Sequence, residues 1–391
     1  MRIYRLFLVP LILASFAVAQ SAGTSTGTIS SPQPSTALQP GITAPVTATP
    51  EPVVKPAPST TREADIKPQP NVNLQVPLPA RALVRRVAMI DIPGRPGFKD
   101  LVFTNGNLVI AHPAASTVDV FSVPKRRMIA EVKDMKGASG VAADESGARV
   151  FVANSDANEI AVISTKTWQV ESRIPLKSSP DALLYIPELG RLYASNWRDQ
   201  AITIIDARQG GVVGSVVVGA RPEYLAYDPA TRQIFVSLED TREIAVLDAE
   251  LKLIRRYPLT ASMPTGLALD AKGRRLYVAV RHAVVELDAD SGREIRRVAA
   301  PDGIDMLQLD ASSGTLYGAA ADGTIMLMKA GNGIFQAQRE YTTDVHGHTL
   351  AFDPAKKMIY LAGGRDGRSK LLILRRVEAN EPPTSPQVAR K

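Results

Sequence analysis

From residue 82 to about residue 377 the chain is a succession of short apolar runs parted by turn residues, and no stretch repeats apolar side chains with helical spacing. One run recurs: Asn107-Leu-Val-Ile-Ala, Arg149-Val-Phe-Val-Ala, Arg191-Leu-Tyr-Ala-Ser, Gln233-Ile-Phe-Val-Ser, Arg275-Leu-Tyr-Val-Ala, Thr315-Leu-Tyr-Gly-Ala and Met358-Ile-Tyr-Leu-Ala. Its central large side chain falls at Val109, Phe151, Tyr193, Phe235, Tyr277, Tyr317 and Tyr360, in steps of 42, 42, 42, 42, 40 and 43 residues. A fixed period of this length marks a repeat architecture.

The second unit reads as four strands: 140–143, 149–153, 160–164 and 169–174, with a turn at Asp144-Glu-Ser-Gly147. The third run of each unit (Ile160-Ala-Val-Ile, Ile202-Thr-Ile-Ile, Ile244-Ala-Val-Leu) is apolar throughout, as a strand covered on both faces must be. Seven such units predict an all-β fold, a seven-bladed β-propeller with four antiparallel strands per blade. The last unit has three strands before a polar tail. Its missing outer strand is supplied by Leu83–Ile90, so the N-terminal strand completes the last blade and closes the ring.

Two of these runs carry a family likeness. Arg149-Val-Phe-Val-Ala-Asn154 followed by Ile160–Ile163, and Arg191-Leu-Tyr-Ala-Ser-Asn196 followed by Ile202–Asp206, resemble the YVTN repeat of exported bacterial and archaeal β-propellers. The first unit lacks the aromatic and the sixth has Gly318 in place of the usual valine. The resemblance implies a periplasmic or secreted propeller. Its relatives include surface-layer and binding proteins, and similar propellers include lactone hydrolases.

The chain ends differ from the repeats. Arg2 and Arg5 precede an apolar run from Leu6 to Val18 and the small-x-small pattern Ala17-Val18-Ala19, which reads as a signal peptide cleaved near Ala19. The run is too short for a bilayer span of about 20 residues. No transmembrane segment is expected in the mature chain. Residues 20–80 are rich in Pro, Thr and Ser, and proline at this density forbids helix and ladder, so a disordered linker is expected there. The propeller is placed at 81–377 and a polar tail at 378–391. There is no cysteine, hence no disulfide framework.

The net charge of +7 is mild for 391 residues and forms no compact basic footprint, so nucleic acid is not an expected partner. A monomer is expected.

Candidate chemistry comes from alignment. The position that opens the first strand of each unit is occupied by Lys99, Ser139, Asp181, Glu223, Thr265, Asp305 and His348, which the fold would bring to one mouth of the central channel. Loops on the same face would add His112, Asn154, Asn196, Trp197, Arg198, Glu239, Arg281, His282 and Arg365. From these, Lys99, Asp181, Glu223, Asp305, His348, Asn196, Trp197, Arg198 and Arg281 are the candidate ligand-binding residues, with Trp197 and Arg198 suited to stacking and anion contact.

No cofactor is expected; His346 and His348 stand two apart, the spacing that places two imidazoles on one side of a strand, and they are the one candidate pair for a divalent metal. No nucleophile elbow, phosphate loop or zinc-protease helix occurs. The leading expectation is a non-enzymatic scaffold for a small molecule, glycan or protein. The alternatives are a lactonase-like hydrolase using the mouth carboxylates and histidine, and a polyanion binder.

Overall fold

The computed structural model describes residues 84–331 and 333–377. The expected signal peptide, proline-rich linker and polar tail lie outside the described residues. Within them the strands form seven sheets of four antiparallel strands, with three single 3-10 turns as the helical content. Blades I to VI occupy 101–132, 138–175, 183–217, 222–258, 267–299 and 307–342, and blade VII occupies 350–376.

Strand Val84–Asp91 pairs antiparallel with Arg368–Arg376, from Val84 opposite Arg376 to Asp91 opposite Lys370, and so becomes the outer strand of blade VII. The ring closes by mixing the two chain ends, as the incomplete seventh repeat requires. Val84 is buried in the core between blades VI and VII beside Tyr317, Leu361 and Leu374.

The core lies between blades rather than within them. Seven apolar clusters occupy the seven blade-to-blade interfaces. The one joining VII to I packs Tyr360, Leu371 and Ile373 on Leu101, Leu108 and Phe121. The recurrent central side chains are buried at all seven positions, 0–1% exposed. Each such burial stabilises the fold by about 1.5–3 kcal/mol.

Polar ties run between blades as well. Tyr193 Oη donates to Ala249 O at 2.6 Å, Tyr257 Oη to Ala289 O at 2.9 Å, and Arg149 Nη1 to Ala207 O at 2.8 Å. The fourth strand of each blade faces solvent. Its run is correspondingly mixed, as in Val170–Pro175, where all but Val170 and Ile174 are exposed.

The chain passes each blade in the order inner to outer, so the two faces of the disc receive different loops. One face carries the openings of the first strands and the loops from second to third strand. The other carries the turns from first to second and from third to fourth strand. Val84 and Arg376 both lie on this second face.

Candidate functional site

The first strands begin in the register expected from alignment. Lys99, Asp181 and Thr265 donate their backbone N–H to Ala111, Ser195 and Ala279 O at 3.1, 2.8 and 2.9 Å, the same step of the ladder in three blades. Lys99, Ser139, Asp181, Glu223 and Asp305 line one hollow at the channel mouth. His348 joins them, its Nδ1 2.7 Å from Asp305 Oδ2. The ring is therefore real as geometry. Lys99 and His348, far apart in sequence, share one opening.

Three residues absent from the sequence-based set complete it. Asp100 and Tyr224 occupy the next step inward and line the same hollow. Gly140, Ala182 and Gly266 hold that step in blades II, III and V. At Gly140 a Cβ would lie 2.3 Å from Asp181 O, and at Gly266 2.7 Å from Asp305 O, so the neighbouring backbone passes where a side chain would stand. The place of Asp100 and Tyr224 directly after Lys99 and Glu223 in the chain was the signal in the sequence. Arg221 is the third: its Nε lies 2.9 Å from Glu223 Oε1 and its Nη1 2.9 Å from Glu239 Oε2.

The electrostatics follow from crowding acids in a narrow space. Burial, with the charge of Asp181 next, pushes Glu223 up to about 8, although Arg221 opposes the shift. Burial pushes Asp100 up to about 7 against the hydrogen bonds it accepts from the N–H groups of Val141 and Leu101. Tyr224, enclosed and facing four carboxyls, is raised well above the usual phenol range, chiefly by burial. Asp305 goes the other way. Its burial is outweighed by the hydrogen bond and charge of His348, which hold it below the ordinary carboxylate value.

The space between these groups is small. The centre of a water molecule has about 10 Å³ to move in, room for about one water. A larger ligand must sit on the mouth rather than in the channel.

Around the rim the loops supply the remaining candidates in different states. Asn196 ends the second strand of blade III, 0% exposed, with neither amide atom hydrogen-bonded, and Asn154 in blade II keeps Oδ1 unpartnered while its Nδ2 donates to Glu159 at 2.9 Å. Trp197 is half-buried, with the guanidinium groups of Arg198 and Arg221 each 5.1 Å from its ring. It is an anchor for arginines already present rather than an open stacking surface.

Arg281 is exposed in its loop and makes no side-chain hydrogen bond or ion pair among the described residues. Arg365 is tied to Asp344 at 3.0 Å. His112 is a core residue: 0% exposed, it holds Asp119 at 2.7 Å and Arg95 O at 2.8 Å and lies against Phe98.

The paired histidines do not share a strand. His346 makes an isolated bridge to Gly364 and is exposed, while His348 is half-buried against Asp305, so the two-residue spacing does not carry its usual geometry. No group of three or more His, Asp or Glu side chains is disposed to hold a metal ion among the described residues. No described helix is long and apolar enough to cross a membrane.

No protein-family model matches the chain, and no curated protein matches it in sequence. Solved structures do match in shape. One is the Kuenenia stuttgartiensis hydrazine synthase, at TM-score 0.66 and 12% identity, covering 74% of this chain and 98% of that one. Another is a chain of the mitotic checkpoint complex, at TM-score 0.65 and 14% identity, covering 76% and 96%. The chain is a seven-bladed β-propeller. At these identities the likeness is one of fold alone.

Proposed function

We propose that the chain is an exported, YVTN-type propeller that binds a small molecule, glycan or protein partner on the channel-mouth face. One observation carries this reading. Among the described residues, five buried side-chain polar atoms on this face have neither a hydrogen bond nor an ion pair: Asn154 Oδ1, Ser178 Oγ, Asn196 Oδ1 and Nδ2, and Thr349 Oγ1. A buried polar atom left unpaired costs about 1–3 kcal/mol, so their concentration on one face is the mark of a surface that is completed by something else.

Lys99, Asp181, Glu223, Asp305 and His348 supply charge of both signs at the centre, and Asn196, Trp197, Arg198 and Arg281 stand on the rim. Val84, the first described residue, lies on the face opposite the mouth.

Native mass spectrometry of the chain recovered from its own host tests the reading, run beside Lys99→Ala, Glu223→Gln and Arg198→Ala variants. A non-covalent adduct on the parent chain that the variants lose is the expected result. Identical spectra for parent and variants sink it.

A second reading, hydrolysis at the mouth, draws on Glu223 and Asp100, whose raised values suit them to act as proton donors near neutral pH. Lactone turnover that Glu223→Gln abolishes would favour it over plain binding.

A further inference from the structure

The outer strands of the seven blades differ in a way the fold does not demand. Those of blades IV, V and VII carry adjacent arginines, Arg255-Arg256, Arg296-Arg297 and Arg85-Arg86, and those of I, II and VI carry charges of both signs. The outer strands of II and IV also end in Pro175 and Pro258. Charge and proline are the usual means of keeping unpaired sheet edges from joining one another. The outer strand of blade III, Gly211–Val217, has neither: it reads Gly-Val-Val-Gly-Ser-Val-Val.

Its side chains are held out to solvent. Val212, Val213 and Val217 are 51%, 54% and 71% exposed, and nothing stands within 4 Å of where a side chain would begin at Gly211 or Gly214. A bulge at Val213 interrupts the strand, and from Gly214 to Val217 it pairs regularly with the third strand. Val218 donates its N–H inward to Gln200 O at 2.7 Å. By the alternation of an antiparallel ladder, Ser215 and Val217 therefore turn their N–H and C=O groups to the open edge.

We propose that this edge pairs antiparallel with the same edge of a second copy of the chain, about a twofold axis at Val216. The axis sets Ser215 of each copy opposite Val217 of the other, satisfies the outward backbone groups of both, and brings four β-branched valine flanks together.

Charge selects the second copy as the occupant. The chain is basic, with a net charge of +7, and two copies repel wherever their arginines meet. Self-pairing of the outer strand of IV or V would set arginine against arginine, and that of VII would bring two arginine pairs onto one edge. The outer strand of blade III is the one that carries no charged side chain of its own, so two copies can pair along it with no charge of that strand opposed. The pairing departs from the monomer expected from the sequence and rests on nothing at the mouth, so it stands or falls separately from the proposed binding face.

Sedimentation velocity of the full chain over a concentration series reaching the upper micromolar range reads the outcome. The expected result is a mass that climbs to twice the monomer and stops, self-association weakened roughly tenfold or more by Val217→Lys or Ser215→Lys, and an unchanged dimer in the uncharged control Val217→Thr. The melting temperatures of the Val217 variants should match the parent, since that side chain is 71% exposed, whereas Ser215→Lys also gives up the bond that Ser215 Oγ donates to Ile202 O at 3.1 Å. A monomer throughout, a dimer that survives both lysine variants, or open-ended growth beyond the dimer would overturn the proposal.

Discussion

The two faces of the disc use the same acidic side chains to opposite ends. On the face of the tight turns, Asp144, Asp228, Asp270, Asp310 and Asp353 close the first strands, and Asp206, Asp248 and Asp288 close the third. Each accepts hydrogen bonds from residues two to five places ahead: Asp228 from Ala230 N and Thr231 Oγ1, Asp310 from Ser312 and Ser313, Asp206 from Arg208 and Gln209. Such turns hold the carboxylate in its charged form, and Asp206, Asp228, Asp288 and Asp310 are all lowered below the ordinary value.

On the mouth face Glu223 and Asp100 are raised, and the close contacts of Glu223, Glu239 and Arg221 are out of line for hydrogen bonding. A carboxylate built into a turn is part of the scaffold. One crowded against others across a channel is a cost the scaffold carries.

Substitutions on either face test this division of roles. The largest effect belongs to the turn face: Asp228→Ala removes the acceptor of Ala230 N, Thr231 Oγ1 and one arm of Arg274, which keeps Asp290, and denaturant unfolding should register a loss of about 2 kcal/mol. A loss no larger than that of an exposed substitution would mean the turns are not what the acids hold together.

Next comes pH at the mouth. Glu223 and Asp100 have folded-state values of about 8 and 7, above the 4.5 and 3.8 of the free groups. Their stabilising share is thus fully present below about pH 4 and is lost as the pH climbs through 7 to 8. Glu223→Gln removes about half of that dependence, so between about pH 4 and 8 its melting temperature should fall less than the parent's. Equal slopes for parent and variant would contradict the crowding.

The smallest effect is at His348. His348→Gln removes the partner that keeps Asp305 low, and a carbon-detected titration should find Asp305 moved upward, with a stability change under about 1 kcal/mol because both groups are partly exposed. An unmoved Asp305 would take the pair out of the site.

Much of this was legible beforehand. The repeat of Phe151, Tyr193, Phe235 and their counterparts located every blade, and the three-stranded seventh unit foretold the role of Val84–Asp91. The ring from Lys99 to His348 was legible for the same reason, since equivalent positions in a closed ring share a face. What the residue types suggested about individual contacts transferred less well. His112 looked like a rim histidine and is a core one, because Asp119, two strand positions away in space, was not visible as its partner. His346 and His348 looked like a metal pair because spacing implies a strand, and the backbone there is not one.

The linear chain, then, set the period, the strand count and the closure of the circle, because burial between like sheets leaves its mark on every repeat. Which acids are neutral, which amides are left without partners and how narrow the channel becomes were settled by the assembled disc. Those properties depend on distances across the axis, and residues such as Asp100 and Glu223 meet there only after seven independent sheets have been set around it.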